Sequence, residues 1–117
     1  MPETSFPGFL APMLPTLIRE PFDSPDWIFE PKLDGYRAIA VIDAIGKVRI
    51  WSRNHLPLQP KFPGVGQAVR RLNLRSTILD GEIVALNSEE IPRFQLLQNW
   101  QIRPTAPVKA CGSVGRF

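Results

Sequence analysis

The sequence predicts an α+β fold in which helices pack on an antiparallel sheet, and three observations support this prediction. Residues 36–43 are rich in small and β-branched side chains, as in a strand that is buried on both faces. Residues 47–51 alternate between polar and apolar side chains, with Val48 and Ile50 expected to face inward. Residues 65–72 carry apolar side chains at the spacing of a helix with one buried stripe.

The first two of these strands form a predicted hairpin, and the segment Ala-Ile-Gly at residues 44–46 is expected to make its turn. Residues 26–29 are expected to form a short strand that leads into the loop around Lys32. Arg53 follows the second hairpin strand. The hairpin should therefore hold the Lys32 loop and Arg53 at the same end.

Two helices and a third strand complete the predicted fold. The first helix is expected to start at Pro63-Gly64, and its buried stripe comprises Val65, Ala68, Val69 and Leu72. Residues 77–86 are expected to form the third strand. Gly81, within this strand, is expected to mark a bulge or the close approach of a ligand. The second helix is indicated by Phe94, Leu97 and Gln101, with Leu96 and Trp100 on an adjoining face.

The most informative stretch of the chain is Lys-Leu-Asp-Gly-Tyr-Arg at residues 32–37, which Glu30 precedes. A lysine amine acts as a nucleophile only once it has lost its proton, which a nearby cation such as Arg37 promotes. Gly35 allows the backbone to turn through positive φ or to come close to a ligand. Asp34 is expected to brace the loop by accepting backbone hydrogen bonds. These residue types are those of a site for phosphate chemistry.

An ordinary Asp-Gly turn, with a solvated lysine and arginine beside it, is the alternative explanation of this stretch. Two further segments argue for a site. Ser-Arg-Asn at residues 52–54 follows the second hairpin strand, and Asp-Gly-Glu at residues 80–82 lies inside the third strand.

Taken in order, residues 30–37, 52–54 and 79–84 resemble the adenylation domain of ATP-dependent DNA ligases, and most nearly that of bacterial end-joining ligases. The resemblance extends to the Phe-Gln-Leu-Leu-Gln segment at residues 94–98 and covers about residues 9–100. RNA ligases and mRNA capping enzymes share the lysine motif, but the segments from residue 79 onward favour the DNA ligases. The resemblance implies part of an ATP-grasp-like nucleotidyltransferase domain.

By this resemblance, Lys32 is the nucleophile that attacks the α-phosphate of ATP, expels pyrophosphate and holds AMP through a phosphoramidate bond. Glu30 is similar to the residue that contacts the adenine. Arg37 resembles a residue that contacts the ribose and phosphate region.

The remaining motif residues also take their implied roles from the family. Arg53 resembles the arginine that meets phosphate, either of AMP or of the 5′ end at a nick. Glu82 resembles the carboxylate that binds the ribose hydroxyl and can help to hold the metal ion. Asp80, Asp34 and Gly35 belong to the same motifs as supporting residues.

The implied cofactors are ATP and Mg²⁺ (or Mn²⁺), and the implied partner is nicked double-stranded DNA. Nucleotidyl transfer spreads negative charge over the phosphate oxygens, so it depends on in-line positioning and on cations that meet this charge. Lysine, arginine and Mg²⁺ supply those cations. A carboxylate such as Glu82 suits both a ribose hydroxyl and Mg²⁺.

The chain departs from the family pattern at two places. His55 follows residues 52–54 where the family usually has glycine. No later lysine matches the family's Glu-Gly-x-x-x-Lys or Lys-x-Lys motif, and the strand aromatic that stacks on adenine and the oligonucleotide-binding-fold domain are not matched either. Residues 1–102 are therefore expected to be the N-terminal portion of the adenylation domain. Residues 103–117, which two prolines and two glycines interrupt, are expected to form a disordered tail.

Composition fits one small domain, because 117 residues with 44% hydrophobic side chains can bury a core. The formal net charge of +3 is compatible with nucleic acid or nucleotide as partner. Arg70, Arg71 and Arg75 form a basic cluster that either touches a DNA backbone or is a solvated helix end.

Cys111 is the sole cysteine, which predicts a reducing cytoplasm, and no apolar run is long enough to span a membrane. A monomer is expected.

Two functional hypotheses follow from the sequence. In the first, the chain is an adenylation-domain fragment of an ATP-dependent DNA ligase that transfers AMP to its own lysine, the first step of sealing nicks in DNA repair and recombination. In the second, the chain is an inactive truncated remnant that binds nucleotide or nucleic acid without turnover.

Overall fold

The computed structural model describes residues 6–98 in full, and the backbone alone for residues 99–100 and 108–116. The elements in chain order are β1 (Tyr36–Ile42), β2 (Val48–Ser52), α1 (Pro63–Arg70), β3 (Thr77–Ala85), α2 (Phe94–Trp100) and β4 (Val108–Arg116). The strands form one sheet in the order β2-β1-β3-β4, and every neighbouring pair is antiparallel. The predicted α+β class is confirmed.

The β1–β2 hairpin forms as predicted, and its turn shows why these residues make it. Gly46 has a φ of 87°, a left-handed conformation that glycine adopts without steric cost. The Asp43 carboxylate accepts hydrogen bonds from the backbone N–H groups of Ile45 and Lys47 at 3.0 and 2.9 Å. The Asp43 side chain therefore accepts hydrogen bonds from turn N–H groups that would otherwise need a backbone carbonyl as acceptor.

The main hydrophobic core lies between the sheet and the two helices. Side chains alternate along each strand, so one set of positions faces the helices and the other set faces away. The principal buried members of the helix-side core are Ala38, Ala40, Ile42, Val48, Ile50, Phe62, Val65, Val69, Ile83, Ala85 and Leu97. The inward positions predicted for Val48 and Ile50 are confirmed. A smaller cluster of Ile39, Val41 and Ile78 lies on the opposite face.

Helix α1 starts at Pro63 as predicted, but its buried stripe is shorter than predicted. Val65 and Val69 are buried, whereas Ala68 and Leu72 are exposed. The prediction for Leu72 is wrong because α1 ends at Arg70, so the helical period no longer applies two residues later. The prediction for Ala68 is wrong because a helix of 8 residues presents only a narrow face to the sheet.

The predicted strand at residues 26–29 does not form. A turn hydrogen bond joins the Trp27 N–H to the Ser24 carbonyl, and the rings of Trp27 and Phe29 pack edge-on against Phe22. These aromatic side chains are exposed. Apolar residues indicated burial in a sheet here, but no strand in the described part of the chain pairs with this segment.

The prediction of a disordered tail at residues 103–117 is wrong for residues 108–116, which form β4. This strand pairs with β3 from Ala85↔Val108 to Thr77↔Arg116. Backbone pairing along an open strand edge needs no apolar pattern, so the pattern of the tail could not reveal it. Residues 103–107 and Phe117, and also the Gln101 position predicted on α2, lie outside the described residues.

Gly81 does not mark a bulge. The pairing of β3 runs without interruption through Ala38↔Gly81 on one side and Gly81↔Gly112 on the other. The requirement for glycine is clearer at Gly35, which enters β1. A side chain there would overlap the Ile83 carbonyl oxygen and would come within 2.9 Å of the Val84 side chain. Gly35 therefore allows the Lys32 loop to lie directly against β3.

We expect Gly35→Ala to destabilise the fold by about 1–3 kcal/mol, because the added methyl group meets backbone that cannot move without disturbing the β1–β3 pairing. Gly64→Ala is the matched control, since nothing lies within 4 Å of its added methyl group. That substitution should stabilise α1 by up to about 1 kcal/mol. Urea denaturation of both variants is the measurement, and equal stability of the two would contradict this account of Gly35.

Candidate functional site

The pairing of the two central strands brings separated motifs together. Arg37 of β1 lies directly opposite Glu82 of β3, and Asp80 is two residues from Glu82 on the same face. This face lies opposite the helices, because Ile39 and Ile78 share it. Residues that are more than forty positions apart in the sequence therefore meet at one end of the sheet.

Arg37 and Asp80 form a two-pronged ion pair. The Arg37 Nε and Nη2 donate to the two carboxylate oxygens of Asp80, both at 2.6 Å, and the side chains are 27% and 42% exposed. The hydrogen bonds that Arg37 donates to Asp80 raise the pKa of Arg37, although burial acts in the opposite direction. Nη2 also lies 3.4 Å from the Met13 carbonyl. The supporting role expected of Asp80 is thus to hold the Arg37 guanidinium in place.

The surroundings of the Glu82 carboxyl raise its pKa. Partial burial raises its pKa, and the negative charges of Asp80 and Asp34 act in the same direction, while Arg37 and Lys32 lower it. The pairing of β1 with β3 thus brings Arg37, Asp80 and Glu82 together at the end of the sheet where the loop with Lys32 and Asp34 enters.

Lys32 itself lies exposed in the loop before β1. Asp34 braces this loop, as the sequence predicted, but its partner is remote. The Asp34 Oδ2 accepts a hydrogen bond of 2.9 Å from the backbone N–H of Phe94, the first residue of α2. This hydrogen bond therefore connects the Lys32 loop to α2, whereas the prediction was a bond within the loop.

Glu30 and Arg53 are exposed and make no hydrogen bond or ion pair within the described part of the chain. Arg53 directly follows β2, whose last residue Ser52 pairs with Ala38 near the start of β1. It therefore lies at the hairpin end where the Lys32 loop enters, as expected. The roles of both residues in nucleotide binding stay predictions.

The backbone at His55 explains why glycine was expected at this position. Its φ is 64°, in the left-handed region that glycine enters most readily. The imidazole stacks on Phe9 with a centroid distance of 4.2 Å and packs edge-on against Trp51 at 4.4 Å. Trp51 also donates from Nε1 to the Gly8 carbonyl at 3.1 Å.

The aromatic contact between the N-terminal segment and β2 was not anticipated from the sequence. Phe9 belongs to no motif that the sequence analysis used. The one sequence feature that pointed to this place was His55, which stands where glycine was expected. The contact attaches residues 8–9 to the end of β2, next to the turn that contains Arg53. The N-terminal segment therefore lies against the same sheet face as Arg37, which Trp51 also faces.

The described residues contain no cluster of three or more histidine, cysteine or acidic side chains that could hold a metal ion by itself. No described helix has both the length and the apolar character that crossing a bilayer requires. A cavity of about 390 Å³ lies at the opposite end of the hairpin, beside Asp43 and Ile45. The candidate site is instead an open surface around Arg37 and Glu82.

We expect stability to fall as pH rises from 4.5, the ordinary pKa of glutamate, through the raised pKa of Glu82. In this range the folded chain holds a proton that the unfolded chain has released, so raising the pH favours unfolding. Glu82→Gln removes this titration. Its melting temperature should exceed that of the wild type at pH 7, and the difference should shrink below pH 4.5.

The exposed Glu20→Gln is the matched control for the loss of one negative charge. Thermal denaturation of all three proteins between pH 3.5 and 8 makes the comparison. A stabilisation by Glu82→Gln that grows as the pH is lowered would contradict the direction assigned to Glu82.

Comparison with known proteins identifies the family of this chain. The family model described as "ATP dependent DNA ligase domain" matches residues 10–112. The multifunctional non-homologous end joining protein LigD of Pseudomonas aeruginosa is 39% identical over 97 residues, which cover 83% of this chain and 11% of that protein. The multifunctional non-homologous end joining DNA repair protein LigD of Mycobacterium tuberculosis is 36% identical over 91 residues, or 77% of this chain and 12% of that protein.

The solved structures agree with the sequence relatives. The crystal structure of the ligase domain of M. tuberculosis LigD matches with a TM-score of 0.60 and 26% identity, over 75% of this chain and 30% of that domain. A structure of mycobacterial DNA ligase D complexed with ATP and MES matches equally well. The chain thus spans little more than a tenth of the curated relatives and less than a third of the solved domain. With the ordered motifs, the sheet and the family match in agreement, this chain belongs to the ATP-dependent DNA ligase domain family.

Proposed function

We propose that this chain contributes the lysine nucleophile and part of the nucleotide site of a DNA ligase, and that Lys32 accepts AMP from ATP. The observation that supports the proposal is that Arg37 and Glu82 lie opposite each other at the end of the sheet where the loop with Lys32 enters β1. One of the matched solved structures is that of a mycobacterial ligase with ATP bound. Nicked duplex DNA is the proposed final substrate, because the matched relatives are named as end-joining proteins.

In the proposed step, the lone pair of the Lys32 amine attacks the α-phosphorus of ATP. A phosphorus–nitrogen bond forms, the bond to the bridging oxygen breaks and pyrophosphate leaves. The amine gives up a proton to solvent. The developing negative charge on the phosphate oxygens needs cationic groups at fixed positions, since such positioning supplies most of the catalysis in phosphoryl transfer.

Arg37 is suited to meet that charge or the ribose. Asp80 engages its Nε and Nη2, which fixes the plane of the guanidinium. Within the described part of the chain no hydrogen bond uses the Nη1 donors, so they remain available to a ligand. Arginine keeps its charge at all relevant pH values, and the Asp80 contact strengthens this.

Glu82 fits the ribose hydroxyl and one position on a divalent metal ion. Mg²⁺ is commonly held by one or two carboxylates together with substrate phosphates and water, so a single carboxylate agrees with its preference. When bound, the ion would neutralise charge on the phosphates. Asp80 is less suited to this role because both of its oxygens bind Arg37.

One observation favours the second candidate function, an inactive remnant that binds nucleotide or nucleic acid without turnover. Large apolar side chains in the segment before the Lys32 loop are open to solvent, with Met13, Leu17 and Ile28 exposed by 88%, 97% and 96%. Electrostatic catalysis is strongest where water is excluded. Water around so open a segment would slow the transfer of AMP to Lys32.

We expect incubation with α-labelled ATP and Mg²⁺ to leave AMP bound covalently to Lys32, at a rate reduced ~10²–10³-fold for each electrostatic contact that the chain does not supply. Denaturing gels and peptide mass analysis identify the labelled residue. Lys32→Ala should abolish the label, and Lys61→Ala, which alters another exposed lysine, should not. A label on a different residue refutes the assignment of Lys32, and no label at long times favours the inactive remnant.

We also expect residues 1–117 alone not to seal a nicked duplex in the presence of ATP and Mg²⁺. The chain covers 30% of the solved ligase domain, so most of the surface of such a domain is outside it. A gel assay with a 5′-phosphorylated nick measures this. Efficient sealing by the purified chain would show that these residues suffice.

A further inference from the structure

The loop between β3 and α2 is held by an ordered network of hydrogen bonds. The Asn87 side-chain oxygen accepts the N–H groups of Glu89 and Ile91 at 2.9 and 3.0 Å. The Asn87 N–H in turn donates to the Ile91 carbonyl at 3.0 Å, and the Arg93 N–H donates to the Ala85 carbonyl at 2.9 Å. The residue that precedes α2 is therefore fixed to the end of β3.

Helix α2 is fixed on its other side by the core. Leu97 is buried in the main hydrophobic cluster, and Leu96 packs against that cluster. Phe94 is the first residue of this helix, so its backbone N–H has no partner within the helix and points away from it. The helix thus holds one unused hydrogen-bond donor in a defined position.

The Lys32 loop uses this donor. The Asp34 Oδ2 accepts the Phe94 N–H at 2.9 Å. The next residue, Gly35, lies against the Ile83 carbonyl, and the Tyr36 ring packs edge-on against the Phe94 ring with a centroid distance of 5.0 Å. Asp34 and Tyr36 therefore contact α2, and Gly35 between them lies against β3.

We propose that Asp34 is a positioning residue, which fixes the place of Lys32 by binding the Phe94 N–H at the start of α2. This inference rests on the proposed function of Lys32. Lys32 is only two residues from Asp34 in an exposed loop, so the Asp34 contact is a fixed point immediately after the nucleophile. Asp34 itself touches no substrate in this role.

The proposal also explains the part played by the Phe-Gln-Leu-Leu-Gln segment at residues 94–98. Its side chains bear no nucleophile or charge, but it supplies the donor, the ring and the buried leucine that hold the loop. A displacement of a reacting group by about 1 Å costs on the order of 10²-fold in rate. Loss of the Asp34 contact should therefore lower the rate of AMP transfer more than the affinity for ATP.

Two pairs of variants separate the hydrogen bond from other effects. Asp34→Asn keeps an oxygen acceptor, whereas Asp34→Ala removes it. Phe94→Pro removes the N–H at a first helical position, where proline is well tolerated, and Phe94→Ala keeps the N–H while also losing the ring. The comparison of Phe94→Pro with Phe94→Ala therefore isolates the backbone donor.

The experiment measures the rate of covalent AMP transfer to Lys32 as a function of ATP concentration. We expect Asp34→Ala to lower the rate at saturating ATP about 10²-fold with little change in the half-saturating concentration. Asp34→Asn should retain most of the activity. Phe94→Pro should lower the rate well below that of Phe94→Ala. The double variant Phe94→Pro with Asp34→Ala should be no slower than Phe94→Pro alone, because both substitutions remove the same hydrogen bond.

Hydrogen exchange of backbone amides checks the contact without relying on catalysis. The Phe94 amide, which donates to the Asp34 carboxylate, should lose protection in Asp34→Ala but keep most of it in Asp34→Asn, while amides of β1 and β3 stay protected in every variant that folds. Equal rates for Phe94→Pro and Phe94→Ala, or equal losses for Asp34→Asn and Asp34→Ala, would overturn the proposal. A wild-type chain that takes no AMP refutes the proposed function of Lys32, and with it the positioning role, whereas exchange still decides whether Asp34 anchors the loop.

Discussion

The antiparallel pairing of β1 with β3 is the constraint on which the rest of this structure depends. It runs without interruption from Tyr36↔Ile83 to Ile42↔Thr77. Because side chains alternate along both strands, one register fixes two sets of contacts at once. It places the small side chains of β1 under the helices and brings Arg37 beside Asp80 and Glu82 on the other face. A slip of one residue would exchange these faces and separate the charged groups from the site.

The charges at this site form a small system in which each group depends on its neighbours. Asp80 pairs with Arg37 and orients it, whereas partial burial raises the pKa of Glu82 and the positive charges of Arg37 and Lys32 lower it. Substitution of Asp80 would free the guanidinium and would also remove one of the negative charges that raise the pKa of Glu82. The two acidic residues of β3 are therefore coupled, although they have different roles.

The two faces of the sheet differ in how they are covered. The face that carries Ala38 and Ile83 is packed against α1 and α2, whereas the face that carries Arg37 meets mainly the N-terminal segment through Phe9, Trp51 and His55. The matched ligase domain is more than three times as long as the part that this chain covers. Arg37 and Glu82 lie on the less covered face, so the chemistry proposed for Lys32 would be more open to water than in a closed site.

Much of the fold and of the residue set followed from the sequence alone, because these features depend on neighbours that are close in the chain. Alternation predicted the β1–β2 hairpin, and a Pro-Gly start with apolar spacing predicted α1. Ordered motifs identified the ligase family and selected Lys32, Arg37 and Glu82. Each of these signals is carried by a run of consecutive residues.

The tertiary structure decided the features that depend on distant partners. The β4 strand forms along the edge of β3 by backbone pairing that no side-chain pattern records, and residues 26–29 remain irregular because no described strand pairs with them. The partner of Asp34 is a backbone N–H sixty residues away, and the role of Asp80 depends on Arg37 across the sheet. A sequence specifies the donors and acceptors, but only the folded chain determines which of them meet, because long-range contacts form only when the register and the core have been set.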